Sequence, residues 1–180
     1  MICTYSDCIV KFNNDYGIRK AIDSGTLFKV EPGIYSTKQY WDELSVILCK
    51  YPNSVFTMQS AWYYHGLSDE VPDRYFIASP RDGLKMVDSR VRQHFISKHI
   101  FDVGLTMLDY QGTRLRVYDK ERMLIELIRN RNKIPFDYYK EIIGHYRDKV
   151  QDLNVALIDK YLQCFERREK LGNTIQLEVF

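Results

Sequence analysis

The stretch Asp119–Arg131, DKERMLIELIRNR, narrows most what this chain can fold into. Asp119 reads as a helix N-cap, and Glu121 falls in the first turn, where the helix dipole favours a negative charge. Leu124, Leu127 and Ile128 repeat at three- and four-residue spacing, the pattern of a helix with one buried face. Arg122, Glu126 and Arg129 follow at i, i+4 and i+7, on one stripe beside that face. Local chemistry reads the stripe as a salt-bridged amphipathic helix, with each pair worth roughly a few tenths of a kcal/mol.

A chain of 180 residues can bury one good core, or one core plus a small appended module. With 45% apolar and 28% charged residues it reads as an ordinary globular protein. No apolar run is long enough for a membrane span. The N-terminal stretch MICTYSDCIVKFNND has neither a basic region nor a long apolar one, so it does not read as a signal peptide. Cys3, Cys8, Cys49 and Cys164 are scattered and read as reduced thiols of a cytoplasmic protein, with no disulfide framework and no zinc site. A net charge of +2 neither demands nor excludes a nucleic-acid partner, because a patch decides that and the sum does not.

The N-terminal order is helix, turn, helix, hairpin. Tyr5–Phe12 is a short helix with Ser6 as its expected cap, and Asn13-Asn14 favours a turn. Asp15–Asp23 is a second helix, stopped by Ser24-Gly25. Leu27–Val30 alternates as a strand, Pro32-Gly33 turns, and Ile34-Tyr35 returns. This is the order of a winged helix-turn-helix, whose second helix enters the major groove while the hairpin touches the backbone. Such a module would present Asn14, Tyr16, Arg19 and Lys20 to bases and lay Lys29 against phosphates. Ile18 and Ile22 would pack on Ile9, Phe12 and Leu27. Asp15 and Asp23 cancel Arg19 and Lys20, so the second helix carries no net charge. The further helix that normally precedes these two is missing. Either the module is reduced, or another part of the chain covers that face.

Gln39–Lys50 reads as an amphipathic helix linking hairpin and main domain. Val55-Phe56 and Tyr75–Ala78 read as strands, with a helix at Thr57–Gly66 between them. Alternation over Arg90–His99 gives Arg90, Arg92, His94 and Lys98 one parity, and Thr113–Tyr118 sets Arg114 and Arg116 to one side. Read as neighbouring strands, they have a solvent face rich in arginine. Residues 90–133 hold ten Lys or Arg against five Asp or Glu, a local charge of +5. That is either a solvated sheet face or a surface for an anionic partner. Helices follow at Asp137–Tyr146, capped by Asp137, and at Asn154–Glu169. Gly172-Asn173 then turns into a last strand, Ile175–Phe180.

No catalytic constellation emerges. His65, His94, His99 and His145 lie apart from one another and from the cysteines, so no metal set forms. No phosphate loop, nucleophile elbow or dinucleotide fingerprint occurs. No acidic-x-Lys triplet of a metal-dependent nuclease and no Gly-Ser of a nucleotidyltransferase is present. The reading is therefore a non-enzyme without a cofactor.

Three segments in order carry a family resemblance: GTLFKVEPGIYS at Gly25–Ser36, QSAWYYHGLSDEVP at Gln59–Pro72 followed by RYFIASPR, and VYDKERMLIELIR at Val117–Arg129. The chain resembles the AbiEi family, antitoxins and transcriptional regulators of type IV toxin–antitoxin (abortive infection) systems. The resemblance implies an α+β chain: a reduced N-terminal winged helix-turn-helix at 1–37, then a larger α/β antitoxin domain at 38–180 with a mixed sheet and C-terminal helices. Its motif positions fall on Ser60, Gly66, Pro72, Glu121, Arg122, Glu126 and Arg129. Here Glu126 stands where the family usually has Asp, and Met123 where it has Thr. The implied partners are operator DNA of the chain's own promoter, bound as a dimer or as two copies, and a nucleotidyltransferase-like toxin counteracted without a stable complex. The alternative is an interaction protein that keeps only the C-terminal antitoxin role.

Overall fold

A computed structural model describes every residue from Met1 to Phe180. It contains nine α-helices and two sheets, and the chain divides into two compact units, Met1–Ser54 and Val55–Phe180.

The first unit opens with a short strand that the alternation did not reveal, β1 (Ile2–Thr4). Helices α1 (Tyr5–Phe12) and α2 (Asp15–Asp23) follow, then β2 (Phe28–Glu31) and β3 (Ile34–Ser36). The three strands pair antiparallel in the order β1-β3-β2. Thr4, not Ser6, caps α1: its hydroxyl accepts from the Asp7 N–H while the Asp7 carboxylate accepts from the Thr4 N–H. The Asn pair divides its work. Asn13, at φ 68°, ends α1, and the Asn14 side chain caps α2 by accepting from the Gly17 N–H at 2.9 Å. Ile18, Ala21 and Leu27 bury with Cys8 and Tyr35, and Ile9, Phe12 and Ile22 pack at the margin of this core, as their spacing predicts.

Helix α3 (Glu43–Lys50) is shorter than expected, because Asp42 caps it and leaves Tyr40 and Trp41 exposed. It packs on β1 and β3 and belongs to the first unit. The break therefore falls after Ser54 and not after residue 37.

The second unit begins with β4 (Val55–Phe56), α4 (Met58–Tyr64) and β5 (Tyr75–Pro80). Then come β6 (Val91–Ile96), the one-turn α5 (Lys98–Phe101), β7 (Leu105–Tyr110) and β8 (Thr113–Tyr118). The sheet runs β6-β5-β4-β8-β7. The β4–β8 and β5–β6 pairs are parallel; the other two are antiparallel. Gln111 and Gly112, both at positive φ, make the two-residue turn of the β7–β8 hairpin.

Four helices complete the unit: α6 (Lys120–Asn130), α7 (Phe136–Asp148), α8 (Val155–Leu162) and α9 (Arg168–Glu178). Pro135 holds the α7 cap position expected of Asp137. The single helix expected over Asn154–Glu169 breaks after Leu162, and Arg167 turns the chain at φ 56°. The expected last strand is instead α9. Leu171, Ile175 and Val179 bury at four-residue spacing, and that period outweighs the turn propensity of Gly172-Asn173.

The α1–α2 corner is tight at Gly17, where an added Cβ would stand 2.2 Å from the Phe12 carbonyl oxygen. Gly17→Ala should force the two helices apart and cost about 1–3 kcal/mol, read by chemical denaturation of the full chain. An unchanged unfolding midpoint would show that the corner relaxes freely.

Candidate functional site

The candidate DNA-contacting residues lie on one unit but not on equal terms. Tyr16 is 76% exposed, and Arg19, Lys20 and Lys29 are exposed too. Tyr16, Arg19 and Lys20 fall at i, i+3 and i+4 on the outer side of α2, opposite Ile18 and Ala21. Lys29 sits in β2, opposite Tyr35 and next to a bulge. Asn14 differs, because its side-chain oxygen is spent on the Gly17 cap.

The stripe on α6 departs furthest from its local reading. Glu121 through Ile128 are all buried, and Arg122 is 0% exposed. Arg122 Nη1 donates to the carbonyls of Ile100 (2.8 Å) and Val103 (3.1 Å), and Nη2 donates to Glu126 Oε1 at 2.8 Å. The guanidinium lies between the rings of Tyr118 and Phe165, 4.7 Å from each centroid. Glu126 also accepts from Arg129 (3.2 Å) and Asn130 (3.0 Å). Asp119 caps the helix through the Arg122 N–H and takes the Tyr161 hydroxyl on its other oxygen. Burial pushes its carboxyl above the usual carboxylate range, while those two donors pull it back. Glu121 accepts the Asn154 N–H at 2.9 Å. Gly104, at φ +74°, must be glycine: a Cβ there would stand 2.5 Å from Arg122 Cβ. The buried members, Glu121, Arg122 and Glu126, hold the unit together.

The remaining motif positions are structural as well. Ser60 Oγ accepts the Phe76 N–H at 2.9 Å from inside the core. Gly66, at φ +63°, ends the α4 turn, and its carbonyl accepts the Lys149 ammonium. Pro72 is half-buried in the loop before β5. Arg129 alone of the α6 stripe reaches solvent. It borders a cavity of about 260 Å³ with Arg131, Glu166, Arg167 and Lys170. Sequence reading missed Arg167, which fell inside the helix expected over Asn154–Glu169, and Lys170, just past its expected end.

The basic strand residues do not form the expected pair of neighbouring strands. Arg92 lies in edge strand β6 and Arg114 and Arg116 in β8, with β5 and β4 between them. Phe95, on the edge strand β6 with the parity opposite to Arg92 and His94, is 48% exposed. Arg90 is held by Asp88 at 2.7 Å, and the Arg92 guanidinium lies 6.0 Å from the Phe76 ring. Lys98 leaves the strand altogether and sits on α5. Arg114 faces Asp109 across the hairpin, and Arg116 faces Met107.

Two histidines, His65 and His94, are half-buried. His65 Nε2–H donates to the Tyr118 carbonyl at 2.7 Å, and His94 stacks on Phe76 with its Nε2 unpartnered. Burial holds both below the ordinary imidazole range, helped at His94 by the Arg92 charge.

No protein-family model matches the chain, and no curated protein matches it. Among solved structures it is similar to the crystal structure of the RV2827C protein from Mycobacterium tuberculosis. That match has a TM-score of 0.67 and 17% identity, over 97% of this chain and 72% of the other. At that identity the two share a fold. No helix is long and apolar enough to cross a membrane.

Glu126→Leu should cost about 3–5 kcal/mol, because it leaves the Arg122 charge buried without its carboxylate. The Arg122→Met, Glu126→Leu double variant should lose less than the sum of the singles, giving a coupling energy in a denaturation cycle. Additive losses would mean that the pair acts as two independent groups.

Acid sensitivity should follow from the two imidazoles. The unfolded chain takes up protons near pH 6.5, and the folded one resists until lower pH. Stability is therefore full above about 6.5 and falls as pH drops through that value. Melting temperatures between pH 7.5 and 5.5 should decline, and His65→Gln with His94→Gln should flatten the slope. An identical slope in the double variant would assign the decline to other groups.

Proposed function

We propose that this chain is a non-enzymatic, cytoplasmic antitoxin of the AbiEi type, which represses its own promoter and counteracts a nucleotidyltransferase-like toxin. In this reading the Met1–Ser54 unit is a winged helix-turn-helix-like module, and α2 is the recognition helix. One observation carries the reading: Tyr16, Arg19 and Lys20 share the outer side of α2 while Ile18 and Ala21 anchor its inner side. Lys29 on the exposed hairpin is the wing contact. β1 and α3 pack on β3 within the same unit.

A second reading, an antitoxin without DNA binding, is favoured by the near-neutral charge of α2 and by the capping role of Asn14. Gel-shift and salt titration on the chain's own upstream DNA separate the two. Lys29→Ala should lower the slope of log affinity against log salt by about one unit. Arg19→Ala should cost about 1–3 kcal/mol and relax specificity at one operator position. Absent salt-dependent binding, with toxin rescue intact, would remove the repressor role and leave the second reading.

A further inference from the structure

The start of α1 carries two thiols at positions that a capped helix brings together. With Thr4 as N-cap and Asp7 third in the helix, Cys3 is the residue before the cap and Cys8 is the fourth of the helix. Those two positions meet across a helix start, where apolar side chains commonly form a staple. Here both are cysteine, and their Sγ atoms stand 3.6 Å apart. The capping box fixes the backbone between them, since the Asp7 carboxylate accepts the Thr4 N–H at 2.8 Å and the Thr4 hydroxyl accepts the Asp7 N–H at 3.2 Å. On the other side β1 sets Cys3 opposite Tyr35 of β3. Closing this contact to a disulfide bond of about 2.05 Å asks less than about 1 Å of each sulfur.

The two thiols are unequal. Cys8 is 1% exposed, in the core with Ile18, Ala21, Leu27 and Tyr35, whereas Cys3 packs at the margin of that core and is half-buried. Burial pushes the Cys8 thiol up to about 12, with the Cys3 neighbour adding to it, so Cys8 is neutral at pH 7. Cys3 is therefore the sulfur that a small oxidant meets first, and Cys8 stands directly behind it. The other two thiols are placed differently: Cys49 lies on α3, and Cys164 is exposed beyond the end of α8.

We propose that Cys3 and Cys8 form a reversible disulfide on exposure to hydrogen peroxide, a covalent staple that ties α1 to β1. In the first step the Cys3 sulfur attacks peroxide. An S–O bond forms, the O–O bond breaks, and the thiol proton leaves with the departing hydroxide as water, so Cys3 becomes a sulfenic acid. In the second step the Cys8 sulfur attacks the Cys3 sulfur. The S–S bond forms, the S–O bond breaks, and the Cys8 proton leaves with the hydroxyl as a second water. The two sulfurs give up the two electrons that the peroxide gains. A dithiol returns both thiols by exchange. In a reducing compartment such a bond is transient and responds to oxidant, where a structural disulfide would persist. The site stands whether or not this unit binds DNA.

The test treats the full-length chain with hydrogen peroxide at pH 7, unfolds it, labels free thiols with N-ethylmaleimide and maps tryptic peptides by mass. Cys3 and Cys8 fall in one peptide, Met1–Lys11. That peptide should appear unlabelled and lighter by two hydrogens, with Cys49 and Cys164 still labelled. Dithiothreitol before labelling should restore both labels. Cys3→Ala should leave Cys8 a labelled thiol after the same treatment, because the entry sulfur is gone. The oxidised wild-type chain should melt no lower than the reduced one, since the bond closes an existing contact. Labels on both cysteines of the treated wild type, a Cys3–Cys49 link in place of Cys3–Cys8, or a lower melting temperature on oxidation would each overturn the proposal. So would oxidation of Cys8 in the Cys3→Ala chain.

Discussion

The Val55–Phe180 unit depends on one ion pair out of contact with water, Arg122 with Glu126. Removing two charges from water costs several kcal/mol per ion, and their mutual attraction alone does not reliably offset it. Here the offset is shared. Arg122 satisfies two backbone carbonyls, Ile100 in α5 and Val103 just after it, the guanidinium lies near two aromatic rings, and Glu126 collects donors from Arg122, Arg129 and Asn130. Lysine could not replace Arg122, because it cannot span those partners from one plane. The pair thereby fixes the rotation and register of α6 against β8, the α5–β7 turn and Phe165. The leftover Nε shows that the fit is not complete.

Much of the local architecture was legible. The apolar period of α6, the Asp119 cap, the two hairpin turns and the helix–turn–helix–hairpin order all rest on contacts within a few residues. Burial of the α6 stripe was not legible, because i, i+4 pairing is the same in water and in a core. What distinguishes the two is Ile100, Val103 and Phe165, which lie far off in sequence. Strand order was hidden for the same reason: alternation says which side a residue takes, not which strand lies beside it, so Arg92 and Arg116 read as neighbours. β1 is three residues long and too short to show a period.

The parallel pairing of Phe56 with Val117 has a consequence for synthesis. β4 lies at the centre of the five-stranded sheet, yet its partner β8 leaves the ribosome some sixty residues later. Until then Val55 and Phe56 stay without that neighbour, and α6, which carries Arg122, has not yet been made. Met1–Ser54 needs no such wait, since every strand of its sheet has been made by Ser36. The nascent chain therefore carries a finished small unit while the larger one is still an open edge, and that interval is when chaperone capture or misassembly would act on it.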